Sequence, residues 1–187
     1  MQFLRVVMVV AGLALTPSAP ALAQQANTAQ ARDGARDFDW EIGAWDTVVR
    51  VRTPLSTQEN WTEFRGASIV HGFANNRANL VDLAVASASG GRIEGVSLRL
   101  FNPQTQQWTL NFASMRDGAL TPPVYGGFAN GRGEFYGQDT VDGRSVFVRF
   151  VISDITANSA RFEQAFSADG GRTWIANWIA TDTRRRS

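Results

Sequence analysis

Short apolar runs separated by turn residues fill the chain from Phe38 almost to its end. In the first run, the mostly apolar positions 45, 47, 49 and 51 alternate with Asp46, Arg50 and Arg52, which indicates a strand with one buried and one solvated face. Asn-Gly, Asp-Gly and Gly-Gly pairs between the runs supply the positive φ angles that tight hairpins need. The pattern predicts ten strands, at residues 45–52, 61–73, 79–88, 92–101, 107–115, 124–128, 133–140, 145–153, 161–167 and 173–181.

Ten short strands joined by hairpins favour a single antiparallel up-and-down β-barrel, because closure leaves no exposed sheet edge. No run in this region has a 3.6-residue period over the length of a helix. A short helical turn over 38–42 is predicted to cover one barrel end. We therefore predict an all-β fold with a flexible N-terminal arm at 24–36, the barrel domain at 37–183 and a solvated C-terminal tail at 184–187.

Two late runs, 145–152 and 173–180, are apolar on both faces. Three interpretations remain open at this point. The outer surface of the barrel is covered, the strands form a homodimer contact, or the barrel is dry both inside and outside.

The first 23 residues have the pattern of a secretion signal. Arg5 precedes an apolar run over 6–15, and an Ala-x-Ala site ends at Ala23. The apolar run is shorter than the roughly 20 residues that span a bilayer, so stable membrane insertion is not expected. The sequence predicts an exported protein, periplasmic or secreted, that begins at Gln24.

Composition excludes several classes of function. The chain has 18 basic residues, all arginine, against 17 acidic ones, and loss of Arg5 leaves 17 of each. A neutral chain lacks the concentrated basic field of a nucleic-acid-binding protein. Without lysine there is no Schiff-base chemistry, and without cysteine there are no disulfides, thiolate catalysis or cysteine-ligated metals.

The segment from Phe38 to Trp45 resembles the start of a family of bacterial exported and cytosolic proteins with an uncharacterised domain. The resemblance continues through residues 98–108, 117–118, 131–136, 163–167 and 174–178. It therefore spans nearly all of the chain after the signal. That family has no established activity to carry over to this sequence.

Gly43-x-Trp45 is also similar to the first-strand motif of the calycins: the lipocalins, the fatty-acid-binding proteins and the nitrobindin-like haem proteins. The resemblance implies that Gly43 allows a tight turn and that the Trp45 indole closes the barrel floor. Ten strands fit the fatty-acid-binding and nitrobindin types better than the eight-stranded lipocalins. Nitrobindin-like proteins bind haem through a late histidine, and no histidine follows His71, so no cofactor is predicted.

Residues 167–174 match the Ser-x-Asp-x-Gly-x-Thr-Trp pattern of the Asp-box, a hairpin that sialidase-type propellers repeat once per blade. Here it occurs once. We expect a structural hairpin in which Asp169 caps turn amides and Trp174 packs beneath.

The chain offers little conventional catalytic chemistry. His71 is the single histidine, so neither a histidine acid–base pair nor a multi-histidine metal site can form, and a pocket-wall or rim position is expected. Gly-x-Ser-x-Gly is absent. The carboxylates of Asp37, Asp39 and Glu41 are expected to cap and solvate the segment before the first strand.

Arginines within the predicted strands are expected mainly to point outward, because arginine is almost never buried unpaired. One of Arg99, Arg149 and Arg161 is a candidate to stack on the Trp45 ring. In fatty-acid-binding barrels, which this chain resembles, interior arginines meet the carboxylate of the ligand.

The aromatic residues in the strands are the main candidates to line a ligand pocket, because such pockets are mostly apolar with a few polar groups. The sequence predicts a lipocalin-like binding protein that holds a small hydrophobic or amphipathic ligand inside the barrel, with no metal. One alternative is a cofactor-free isomerase or cyclase that uses His71 or a buried glutamate in the same cavity. Another is a homodimeric interaction module without a ligand. The predicted ligand-binding residues are Trp45, His71, Arg99, Trp108, Phe112, Phe135, Phe150, Gln164, Phe166 and Trp178.

Overall fold

The computed structural model describes residues 33–186. The predicted signal segment and residues 24–32 of the predicted arm lie outside this range. The described chain forms ten strands. They are β1 (Gly43–Val51), β2 (Thr62–Phe73), β3 (Ala78–Ala86), β4 (Arg92–Asn102), β5 (Gln107–Ser114), β6 (Val124–Ala129), β7 (Arg132–Val141), β8 (Arg144–Ser153), β9 (Ser159–Ser167) and β10 (Ile175–Arg184).

The ten strands form one closed, antiparallel, up-and-down barrel. Each strand pairs with its neighbours along the chain, and β10 returns to pair with β1. In that closing pair Val49 lies opposite Ala180, and Thr47 lies opposite Asp182. The predicted fold class is confirmed, and every predicted strand overlaps an observed one. In the described range, no helix is long and apolar enough to cross a membrane.

Two single-turn 3₁₀ helices precede the barrel, at Gly34–Arg36 and Asp39–Glu41. The second confirms the predicted turn over 38–42. The first corrects the predicted arm, because Gly34 and Ala35 are buried. Asp33 caps this turn by accepting a hydrogen bond from the Ala35 amide at 3.0 Å. Within this turn Gly34 and Ala35 are packed in the interior, whereas Asp33 and Arg36 are exposed.

Arg184 is the last residue of β10 and does not belong to a solvated tail. Its guanidinium lies 4.0 Å from the centre of the Trp45 ring. It also donates hydrogen bonds to the carbonyls of Trp40, Ile42 and Ala157. The expectation that Arg99, Arg149 or Arg161 stacks on Trp45 was wrong. The β1–β10 register places Arg184 directly opposite Trp45, and so on the same side of the sheet.

Replacing Arg184 by methionine is expected to lower the free energy of unfolding by roughly 1–3 kcal/mol. The change removes a cation from an aromatic face and leaves backbone carbonyls without their donor. Urea unfolding followed by tryptophan fluorescence measures the loss. The matched control is Arg186→Met, because Arg186 is exposed two residues further on, and it should change stability by less than about 0.5 kcal/mol. If both substitutions lowered the free energy of unfolding equally, the contacts of Arg184 with Trp45 and the backbone carbonyls would not stabilise the barrel.

The two runs that are apolar on both faces, 145–152 and 173–180, have partly buried outward-facing residues. On the outer side of β8, Val151 is buried whereas Phe147 is 40% exposed. On β10, Ile179 is half-buried. The homodimer contact remains a prediction.

Candidate functional site: a cavity above a charged floor

A cavity of about 330 Å³ lies inside the barrel. Its walls are apolar and come from strands around the whole circumference. They include Val49 on β1, Leu83 on β3, Leu110 and Phe112 on β5, Phe150 on β8 and Trp178 on β10. The inward positions of a twisted, closed sheet converge, so residues distant in sequence meet here.

The closed end of the barrel is filled by aromatic rings. Phe38 enters from the segment between the two 3₁₀ turns, and its ring centre lies 4.8 Å from Trp108 and 5.0 Å from Phe128. The Trp108 indole donates to the Gly34 carbonyl at 2.9 Å, which fixes the first turn. The Trp45 indole donates to the Glu41 carbonyl at 2.6 Å. Together these contacts close the floor, so the cavity opens towards the opposite end.

Glu41 and Arg99 form a buried ion pair at the floor. Their side chains are 1% and 4% exposed, and the Arg99 guanidinium donates to the Glu41 carboxylate. The same guanidinium lies 4.5 Å from the centre of the Phe38 ring. Burial lowers the pKa of Arg99 to about 9, and the neighbouring charge of Asp182 opposes that change. Arg99 is therefore still protonated at neutral pH.

Asp182 adds a second buried carboxylate to the floor. Burial raises its pKa to about 6, against the opposing effects of a hydrogen bond from Thr47 and the charge of Arg99. Thr47 also shares a hydrogen bond with Ser68. Because the single Thr47 proton goes to the carboxylate, Ser68 is the donor in that second bond. Among the described residues, Asp182 Oδ1 and Arg99 Nε have no hydrogen-bond partner.

Exchanging Asp182 for asparagine is expected to change how stability depends on pH. The pKa of Asp182 is higher in the folded state than its ordinary value of 3.8, so the folded protein binds more protons between about pH 4 and pH 6. Asp182 therefore costs the wild type about 2–3 kcal/mol of stability as the pH rises through this window. The free energy of unfolding of Asp182→Asn, measured with urea relative to that of the wild type, should therefore rise by this amount between pH 4 and pH 7. If the difference in unfolding free energy between variant and wild type were the same at both pH values, the pKa of Asp182 would not be raised.

The mouth of the cavity is bordered by the segment between β5 and β6. These two strands pair through only three residue pairs, the last being Leu110 with Val124. Beyond this point the segment turns back along β5, where the Thr121 amide donates to the Phe112 carbonyl at 2.7 Å. Asn111 donates to the Thr121 carbonyl at 2.9 Å. Thr121, Asn111 and Asp139 give this end of the cavity a polar lining.

Five of the ten predicted site residues line the cavity: Arg99, Phe112, Phe150, Gln164 and Trp178. The register pairs Phe112 with Ser97, and the Phe112 ring lies over Gly95, where an added side chain would collide with it. Four others face inward but do not line it. Trp45, Trp108 and Phe135 are completely buried in the packing of the floor, and Phe166 is buried against Val146 and Val148.

His71 is placed outside the barrel, contrary to the expected wall or rim position. It is exposed on β2, and the preceding Val70 is the inward, buried residue. Alternation along the strand gives the reason, because adjacent side chains point to opposite faces. His71 therefore contacts neither the cavity nor a group bound there.

Sequence reasoning missed the polar residues of the floor: Glu41, Ser68 and Asp182, with Thr47 noted only as an inward position. Asp182 carried a usable signal, because it follows Trp178 and Ala180 at even spacing and so shares their inward face. Glu41 carried none, since it lies in a 3₁₀ turn rather than in a strand. Expecting Glu41 to be a solvated capping residue was wrong, because the turn points it into the barrel.

The Asp-box hairpin has the expected structural role. Asp169 accepts hydrogen bonds from the amides of Arg172 and Thr173 at 3.1 and 2.9 Å. The bonds from the Thr173 amide and hydroxyl and from the Ser167 hydroxyl hold the pKa of Asp169 far below its ordinary value. Trp174 packs on the outer surface, with the Arg149 guanidinium 4.8 Å from its ring centre. Within residues 33–186, no group of three or more acidic, histidine or cysteine side chains is arranged to hold a metal ion.

Comparison by sequence finds no matching protein-family model and no matching curated protein. Comparison by structure finds similar barrels. An S-type phycobiliprotein lyase, CPES from Guillardia theta, has a TM-score of 0.58 at 11% identity, covering 84% of this chain and 95% of the lyase.

Two further matches have lower TM-scores. A de novo designed fluorescence-activating β-barrel has a TM-score of 0.44 at 13% identity over 82% of this chain and 99% of the design. EF1p2_mFAP2b, bound to DFHBI, has a TM-score of 0.46 at 8% identity over 81% and 99%. The likeness to the lyase shows that the chain has a closed, lipocalin-like barrel fold.

Proposed function

We propose that this protein binds a small hydrophobic or amphipathic molecule inside its barrel. One observation carries the proposal: the closed barrel encloses about 330 Å³ of space above a floor of buried aromatic and charged side chains. Pockets for small molecules typically measure roughly 300–1,000 Å³ and combine apolar walls with a few polar groups. The walls formed by Leu110, Phe150 and Trp178, with Gln164 among them, have that composition.

The alternatives are less well supported. A homodimeric module without a ligand needs no interior space, whereas this barrel retains a cavity. The proposed isomerase or cyclase relied on His71 or a buried glutamate. His71 lies on the outer surface, and the buried glutamate is Glu41, which is already paired with Arg99.

The structural likeness to the phycobiliprotein lyase supports the barrel geometry on which this proposal depends. Export to the periplasm or the exterior also remains a proposal, supported by the signal-like pattern of residues 1–23.

Filling the cavity tests the proposal. Ser97 lies on the inner side of β4 and lines the cavity, so Ser97→Phe is expected to occupy part of the space. We expect the affinity for the neutral fluorescent hydrophobe N-phenyl-1-naphthylamine to fall about tenfold or more, as for a lost well-packed contact surface. Fluorescence titration measures the change.

Leu98→Phe provides the matched control, because the neighbouring residue on β4 points to the outer side. The control should bind the probe like wild type, and urea unfolding should show that both variants are folded. Equal binding by Ser97→Phe and wild type would place the probe outside the barrel and contradict the proposal.

A further inference from the structure

The ionisable side chains that line the cavity are mostly acidic. They are Glu41, Asp139, Asp182 and Arg99, so their formal charge sums to −2 when all four are ionised. Asp139 lies at the mouth and the other three at the floor. Among the described residues, Arg99 is the only basic side chain in the lining. The interior therefore presents a negative field from its mouth to its floor.

We propose that the ligand is a cationic amphiphile, a hydrophobic amine whose ammonium group lies against the Asp182 carboxylate at the floor. This inference rests on the proposed binding function and specifies its ligand class. The apolar part of the molecule then lies along the walls formed by Leu110, Phe150 and Trp178.

The buried arginine does not make this a carboxylate site. In a site that recognises a ligand carboxylate, the guanidinium must be free to form paired hydrogen bonds with it. Here Nη1 of Arg99 already donates to Glu41, and both side chains are almost completely buried. The charge of Arg99 is therefore matched even though its Nε has no partner among the described residues. An incoming carboxylate would have to displace Glu41 or add a third negative charge to a floor that already contains Asp182.

Among the described residues of the floor, Asp182 is the carboxylate that has no cation of its own. The charge of Arg99 is matched by Glu41, which leaves one carboxylate in excess in a region shielded from water. Its Oδ1 atom has no hydrogen-bond partner within residues 33–186, and Thr47 supplies a neutral donor to the same carboxylate. In the described part of the chain, Arg99 is the one cation beside two carboxylates, and a buried carboxylate without a counterion of its own is costly. An ammonium group offers both the opposite charge and three donors.

The distance from mouth to floor sets the scale of the apolar part. Trp178 and Asp182 lie four residues apart on the inner face of β10, or about 13 Å along an extended strand. A medium-length alkyl chain spans this distance with its head group at the floor. Octyl compounds are therefore suitable probes, and they differ only in the head group.

The test compares octylamine, 1-octanol and octanoate as competitors of N-phenyl-1-naphthylamine at pH 7.5. We expect octylamine to bind about tenfold or more tightly than octanoate, as expected for one close buried charge pair, with 1-octanol between them. Octanoate binding as tightly as octylamine would overturn the inference, and so would failure of octylamine to compete. In both cases the bound probe would still support a hydrophobic cavity. Failure of the probe itself to bind would instead overturn the proposed function.

Asp182→Asn examines the assigned partner directly. It should weaken octylamine binding about tenfold and leave 1-octanol within about twofold, because asparagine keeps the shape and loses the charge. Asp82→Asn is the control, since Asp82 is exposed on the outer side of β3. Equal loss in both variants, or loss of 1-octanol binding together with octylamine, would overturn the assignment.

Acidification of the wild type gives an independent result that requires no variant. Arg99 and Glu41 are the charged groups that share the floor with Asp182, while Thr47 and Ala160 face it from the neighbouring strands and do not titrate. Because burial raises the pKa of Asp182 to about 6, the carboxylate loses its charge below that pH. Octylamine affinity should then fall about tenfold from pH 7.5 to pH 5, with 1-octanol unaffected. A flat profile for octylamine would count against the inference.

Discussion

Replacing Arg99 by methionine is expected to lower the free energy of unfolding by about 3–5 kcal/mol at neutral pH. The change leaves the carboxylates of Glu41 and Asp182 at the barrel floor without their cation. Methionine has a similar length, so the loss reports mainly on charge rather than on packing volume. Urea unfolding, with the midpoint and slope recorded separately, measures it.

Two companion variants make this result specific. The double variant Glu41→Leu with Arg99→Met should be less destabilised than Arg99→Met alone, because removing both charges avoids an uncompensated buried carboxylate. Arg92→Met changes an exposed arginine in a surface ion pair on the same strand and should cost no more than about 1 kcal/mol. If Arg99→Met cost as little as Arg92→Met, Arg99 would not be buried and paired as described.

Truncating Phe38 to alanine is expected to cost about 3–5 kcal/mol. The ring is only 1% exposed and contacts Trp108 and Phe128 edge-on. Its removal opens the floor, since the surrounding rings belong to rigid strands and cannot collapse fully into the space. Thermal and urea unfolding measure the loss.

Phe73→Ala is the control for this truncation. Phe73 lies at the end of β2 and is 52% exposed, so its loss should change stability by about 0.5 kcal/mol or less. Comparable effects at both positions would mean that Phe38 does not close the barrel.

The fold was predictable from the sequence because its determinants are local. Alternation along β1, with Trp45 and Val49 inward and Asp46 and Arg50 outward, indicates which face is buried. Turn pairs such as Asp142-Gly143, both at positive φ, define hairpin positions without any knowledge of the rest of the chain. Consecutive hairpins pair each strand with its neighbours along the chain. Pairing of the first strand with the last then closes the barrel and leaves no strand with an unpaired edge.

The floor of the cavity depends on contacts between residues far apart in sequence, and these were not predictable. Glu41 and Arg99 meet because a 3₁₀ turn and the end of β4 lie at the same barrel end, 58 residues apart along the chain. Arg184 covers Trp45 through the β1–β10 register, which only closure determines. Neither pairing follows from a local pattern, since each requires strand order, register and the path of the segment before β1.

The residues that form the cavity walls were only partly predictable from the sequence. The aromatic composition of the strands identified Phe112, Phe150 and Trp178, which line the cavity, together with Trp108 and Phe135, which fill its floor. Both groups face inward and have the same hydrophobic character. Depth along the barrel separates them, and depth depends on the stagger between strands.

The most direct measurement is a native mass spectrum of the protein purified from its own source without detergent. A filled interior site predicts a complex heavier than the bare chain by the mass of one small molecule, which collisional activation releases. Ser97→Phe, purified in the same way, should give the mass of the chain alone. Bare chain in the wild-type spectrum, together with no saturable binding of N-phenyl-1-naphthylamine, would contradict a ligand-binding barrel.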